Sequence, residues 1–155
     1  MIKVQVFTHV DPVTQKVTHF DASAMYSYAT CHFVANLPGT PPGIDLIKVA
    51  MEQDHIDLVL TKRGIEFGHV MRLLGESKVD PRKAFELATP MIAVHMDDDT
   101  TLTVDGHHRF AVWAFLKMTH YRILRFRKGT WKGFVLELPE EQSRRFVDDT
   151  LRSSQ

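Results

Sequence analysis

The chain is poor in cysteine, in long apolar runs and in net charge, and each shortage removes a class of protein. Cys31 is the single cysteine in 155 residues, so neither an intrachain disulfide nor a thiolate metal cluster can form, which excludes a secreted disulfide scaffold and a zinc finger. As a small hydrophobe, Cys31 reads as a core residue rather than a nucleophile. No apolar stretch approaches the roughly 20 residues needed to cross a bilayer. The start MIKVQVFTHV carries neither a cationic leader nor a cleavage site, so a cytoplasmic protein without a membrane partner is expected. Lysine plus arginine and aspartate plus glutamate both number 19, and the whole-chain field gives no reason to expect strong nonspecific binding to nucleic acid.

What is present suits one domain spanning residues 1–155: 44% of the residues are hydrophobic and 25% charged, as in ordinary globular chains of this length. IKVQVFTHV alternates as a strand does, and DPVTQ followed by KVTHF reads as a turn and a return strand. Asp21 or Ser23 can cap a helix through AMYSYATCHFVAN, which LPGTPPG then stops. IDLIKVAMEQ has apolar residues near helical spacing, whereas HIDLVL alternates Ile56, Leu58 and Leu60 as in a strand. TKRG turns the chain, and Asp80 and Pro81 mark a helix start in VDPRKAFELA. MIAVHM and TLTV predict a hairpin around DDDT. The helix HHRFAVWAFLKM, the strand YRILRFR, the turn KGTWKG, the strand FVLEL and a closing helix in PEEQSRRFVDDTL follow. Hairpins mixed with a strand, helix, strand unit from Thr101 to Arg127 predict an α+β (mixed α/β) fold, a small mixed sheet flanked by helices.

Within that layout one segment carries the chemistry. In TVDGHHRFAVWAFL, Asp105 and Gly106 form a strand-to-helix turn, with His107, His108 and Arg109 in the first helical turn. The first amides of a helix lack carbonyl partners and carry the positive end of its dipole, and a glycine lets a ligand approach the backbone, so the position favours an anion. Arg109 adds a planar fork suited to phosphate, and the histidines can donate hydrogen bonds or move a proton near neutral pH. The apolar run behind them predicts a buried helix that holds this tip rigidly. By spacing alone, Asp105 as an ordinary cap with the histidines as surface groups is an equal reading.

DGHHR between a hairpin strand and an apolar helix, preceded by VDPRKAFELATPMIAV, resembles the ParB/sulfiredoxin superfamily. The likeness covers residues 56–138, leaving 1–43 as an N-terminal elaboration with a hairpin and helix, and 139–155 as a C-terminal helix and tail. It implies a nucleotide as ligand, a nucleoside triphosphate or diphosphate with Mg2+ bridging its phosphates, and hydrolysis or transfer of a phosphoryl group. Gly106, His107, His108 and Arg109 would hold the phosphates, with His107 and His108 as catalytic candidates. His107 stands where sulfiredoxins keep their catalytic cysteine, which rules out sulfinic acid reduction. Partitioning proteins carry Glu-Arg-Arg after the glycine, and this chain lacks room for their helix-turn-helix and dimerisation domains. The superfamily also brings basic residues from ahead of the first core strand towards the phosphates, which makes Lys83, next to Arg82, a candidate against the plainer reading of a solvated charge. Glu52 and Glu66 lie upstream, where superfamily kinases and nucleases place a catalytic acid. No motif separates the two, and Glu66 is the candidate.

Two further features carry expectations. Asp97, Asp98 and Asp99 with His95 or Asp105 could ligate a divalent cation, although an acidic hairpin turn is the commoner use; Asp105 is the metal candidate. From Gly106 to Leu136 there is no acidic residue, while Arg122, Arg125, Arg127, Lys128 and Lys132 alternate with aromatics, so a phosphate backbone could lie along them with Trp131 or Tyr121 stacked on a base. The alternative function is therefore a noncatalytic DNA, RNA or protein interaction module using the basic 117–132 surface, or a metal-dependent nuclease. The other reading of that stretch is an edge strand guarded by arginines.

Overall fold

A computed structural model describes residues 5–34, 39–62 and 90–153. The helix expected from Asp80, the second half of the TKRG turn (Arg63 and Gly64), and the candidates Glu66, Arg82 and Lys83 lie outside these residues.

Hairpin strands β1 (Val6–Val10) and β2 (Val17–Asp21) lead into α1 (Ala22–Val34). Asp11 shapes their turn, accepting from the amides of Val13 and Thr14 at 2.8 and 2.9 Å, the local side-chain bonding that favours Asp in turns. Of the two cap candidates Asp21 serves, its Oδ1 accepting from the Ala24 amide at 3.0 Å, while Ser23 accepts from the Gln5 amide. α1 buries Ala22, Met25 and Ala29. Cys31, expected in the core, is exposed, because two residues beyond Ala29 is about 200° round the helix.

Next come β3 (Ile44–Ala50), the short helix α2 (Gln53–Asp57) and a π-turn at Leu58–Lys62. Both differ from the sequence pattern. IDLIKVA is a strand because it pairs along its whole length with β6, and HIDLVL is helical rather than extended. β4 (Met91–His95) and β5 (Thr101–Asp105) form the expected hairpin, followed by α3 (His107–Phe115) and β6 (His120–Phe126). α3 stops before the predicted Met118. Lys117 adopts φ 58°, and the Met118 amide closes back onto the Trp113 carbonyl at 3.1 Å, a left-handed helix terminus. A 3₁₀ turn (Lys132–Phe134), the two-residue strand β7 (Val135–Leu136) and α4 (Glu140–Ser153) complete the chain. FVLEL thus supplies a much shorter strand than its pattern suggests.

The fold is mixed α+β, and the described residues form two sheets, ordered β1-β2-β7 and β3-β6-β4-β5. In the larger sheet β4 runs parallel to β6 and antiparallel to β5, so the β5-α3-β6 connection crosses β4. Alternating residues face opposite sides. One side sets Ile44, Ile92, Val94, Val104, Leu124 and Phe126 against Phe20, Met25, Ala29 and Trp131. On the other, Met91, Ala93, Tyr121 and Ile123 meet Phe110 and Trp113 of α3 and Val59. The sheet begins at Ile44, ahead of residue 56, and the hairpin and α1 share its core. No helix of the described residues is long and apolar enough to cross a membrane.

Candidate functional site

The expected strand-to-helix turn is present and its backbone is unusual. Gly106 caps α3 at φ 104° and ψ 13°, with no side-chain cap, so Asp105 ends β5 without capping the helix. The β4–β5 register shifts at Ile92/Ala93, and such an irregularity re-aims the strand end. A Cβ on Gly106 would lie 2.9 Å from Met91 Cγ, 3.1 Å from Met91 Cα and 3.1 Å from Arg109 Nη2. The glycine therefore serves close packing against β4 as well as the turn.

Arg109 folds back over this turn. Its Nη2 donates to the Pro90 carbonyl at 3.4 Å and lies 3.9 Å from Asp105 Oδ2, and its guanidinium stands 5.8 Å from the centre of the Tyr26 ring. The side chain is 23% exposed, and Nε is buried without a hydrogen-bond partner. His107 stacks on Phe7 with ring centres 5.9 Å apart, whereas His108 is exposed. Neighbours on a helix diverge by about 100°, and here one imidazole joins the N-terminal hairpin while the other faces solvent. Phe110, Ala111, Val112 and Trp113 are buried behind them, so the turn is rigidly anchored.

The other candidates among the described residues do not converge on this turn. Among the described residues no group of three His, Cys, Asp or Glu side chains is placed to hold a metal ion. Asp105 faces Arg109, Asp98 accepts from the Thr100 amide and hydroxyl, and Asp99 pairs with Lys128 and with His95. These bonds hold the Asp98 and Asp99 carboxyls below the usual range, chiefly through Thr100 and Lys128 respectively. DDDT is thus an ordered acidic turn. Along β6, Arg122 and Arg125 point to opposite faces of the sheet. Arg125 donates to Thr101, Arg127 is held by Asp45 at 2.8 Å, and Lys132 is exposed beyond the strand. Trp131 is core, its Nε1 donating to the His95 carbonyl at 2.9 Å, and Tyr121 is buried, so neither offers a face to a base.

Two side-chain constellations escaped the sequence. Thr8, His19 and Ser143 form a chain, with His19 Nδ1 2.9 Å from Thr8 Oγ1 and Nε2 2.7 Å from Ser143 Oγ. His55 Nδ1 meets the Tyr121 hydroxyl at 3.0 Å, and its ring lies tilted against Phe110 with centres 4.6 Å apart. Both unite residues far apart in the chain, and no local spacing signals them. Compared with known proteins, the chain matches no family model, no curated protein and no solved structure.

Proposed function

We propose that the protein binds a nucleoside triphosphate or diphosphate by its phosphates at the β5–α3 turn, with Gly106, His107, His108 and Arg109 around them. One observation carries this: the uncapped start of α3 and the Arg109 guanidinium occupy the same turn, Nη2 standing 3.1 Å from where a Gly106 Cβ would be. Amide donors, helix dipole and a fixed positive charge thus belong to one turn, the combination that binds phosphate. The resemblance of DGHHR to the ParB/sulfiredoxin box favours a nucleotide among anions and suits a cytoplasmic setting. Hydrolysis or transfer of the terminal phosphoryl group is the matching reaction. Arg109 and the amides would stabilise charge on the phosphate oxygens, and the exposed His108 would orient water or an acceptor hydroxyl. Among the described residues no group of three His, Cys, Asp or Glu side chains is placed to hold magnesium at this turn. The nucleic-acid module and the nuclease gain no such convergence of residues.

Calorimetry with ATP, ADP, CTP and GTP should reveal binding that Arg109→Ala weakens at least tenfold, about 1.4 kcal/mol. Circular dichroism must show the variant folded, since Arg109 also ties α3 to Pro90. Phosphate release lost in His108→Ala with binding retained would establish the chemistry. Absence of binding by all four nucleotides overturns the proposal.

A further inference from the structure

On the sheet face that α3 covers in part, a cavity of about 200 Å³ opens beside the helix, with Ile47, Val49 and Ile123 as an apolar floor. Its polar wall is formed by Arg125 with Thr101 and Thr103, and by His55 with Tyr121 at the other end. We infer that this cavity binds a small organic monocarboxylate with an apolar body, held by Arg125.

Arg125 is the one fixed charge among the described lining residues. Asp45 lies opposite it across β3 and β6, but accepts two hydrogen bonds from Arg127 at 2.8 and 3.0 Å. Arg125 Nη1 donates to Thr101 Oγ1 at 3.0 Å, and its Nε is buried with no hydrogen-bond partner. A buried donor left unsatisfied is costly and calls for a reason. A carboxylate presents two oxygens to a guanidinium edge in matching geometry, and a modest turn of the side chain brings the Nε and Nη2 edge to the cavity. One positive charge over an apolar floor suits one negative charge on a hydrocarbon or aromatic body. A dianionic phosphate would leave charge uncompensated and the floor unused. The volume lies below the roughly 300–1,000 Å³ of pockets for drug-sized ligands, so the occupant is smaller than a nucleotide. At the far end the Tyr121 hydroxyl, its pKa pushed up to about 12 by burial and then by Glu52, stays protonated and fixes His55 through the 3.0 Å contact. That end is a rigid uncharged-phenol wall rather than a competing anion.

The experiment is titration of the full-length 15N- and methyl-labelled protein with benzoate, phenylacetate and hexanoate, read by NMR. Benzamide serves as the neutral counterpart and inorganic phosphate as the anion without a body. At least one carboxylate should saturably shift the Arg125 Nε–H signal and the Ile47 and Ile123 methyls, with benzamide at least tenfold weaker than benzoate and phosphate without effect there. Arg125→Gln should weaken binding at least tenfold. Ile47→Trp, at the cavity floor, should abolish it by filling the cavity while the remaining amide signals keep their folded dispersion, and Arg109→Ala should leave carboxylate binding unchanged. Failure of all three carboxylates, equal binding of benzamide, phosphate shifting the same signals in their place, or binding that survives Arg125→Gln or Ile47→Trp in folded protein overturns the inference. None of these outcomes depends on whether a nucleotide binds at Gly106.

Discussion

Gly106 is required twice over, by conformation and by contact. At φ 104° an L-residue incurs a left-handed backbone cost of about 1–2 kcal/mol. Of the atoms a Cβ would meet, Arg109 Nη2 is the flexible end of a long side chain and can move, whereas Met91 Cα is backbone of the buried strand β4 and cannot. Gly106→Ala should therefore destabilise the protein by about 2–4 kcal/mol, strain and overpacking together, read as a lower midpoint in urea unfolding. If the glycine served only to admit a ligand to the backbone, stability would be unchanged and nucleotide affinity alone would fall. Stability falling first makes the turn a packing joint that also presents amides. The same residue thus links the fold to the proposed phosphate site.

Among the elements, α4 is fastened by an unusual device. Its Ser143 meets His19 of β2, which in turn meets Thr8 of β1, and Phe146 of α4 lies 5.9 Å from the imidazole. Burial holds the His19 pKa below its ordinary 6.5, so the folded protein takes up this proton less readily than the unfolded chain. Above pH 6.5 the imidazole is neutral in both states and its contribution is whole. As pH falls from there towards the depressed folded value, the unfolded chain is protonated first and stability drains away. The melting temperature should fall between pH 7 and pH 5, and less steeply in His19→Gln, which at pH 8 should already be weakened by about 1–3 kcal/mol through imperfect partners for Thr8 and Ser143. Equal acid slopes in the two proteins would refute the role of His19. Elements with local signals were legible in the sequence: α1 through Asp21, the β1–β2 turn through Asp11, α3 through its glycine and apolar run. IDLIKVA and HIDLVL were not, because short apolar patterns fit either period and pairing with the distant β6 decides the first of them. The candidate site divides the same way. DGHHR is contiguous and could be read, whereas His55 with Tyr121, and Arg125 with Thr101, meet only once the sheet has formed.

For the whole molecule, the N-terminal hairpin and α1 are part of the principal core. Phe20, Met25 and Ala29 are fully buried in one cluster with Ile92, Val94, Leu124 and Phe126, and β2 pairs with β7 from the far end of the chain. Burying a Phe or Met side chain is worth about 1.5–3 kcal/mol, so Phe20 and Met25 alone supply a large part of the 5–15 kcal/mol net stability typical of a domain. Phe7, also N-terminal, props His107 beside the proposed phosphate turn. Deleting residues 1–43 should therefore leave a chain with no cooperative thermal transition by circular dichroism, with exposed apolar surface that binds a hydrophobic dye, and with no nucleotide binding. A truncated chain that still melted cooperatively would show the larger sheet to be self-sufficient. Nucleotide binding by that chain would further show that Gly106 and Arg109 hold their places without the Phe7 contact.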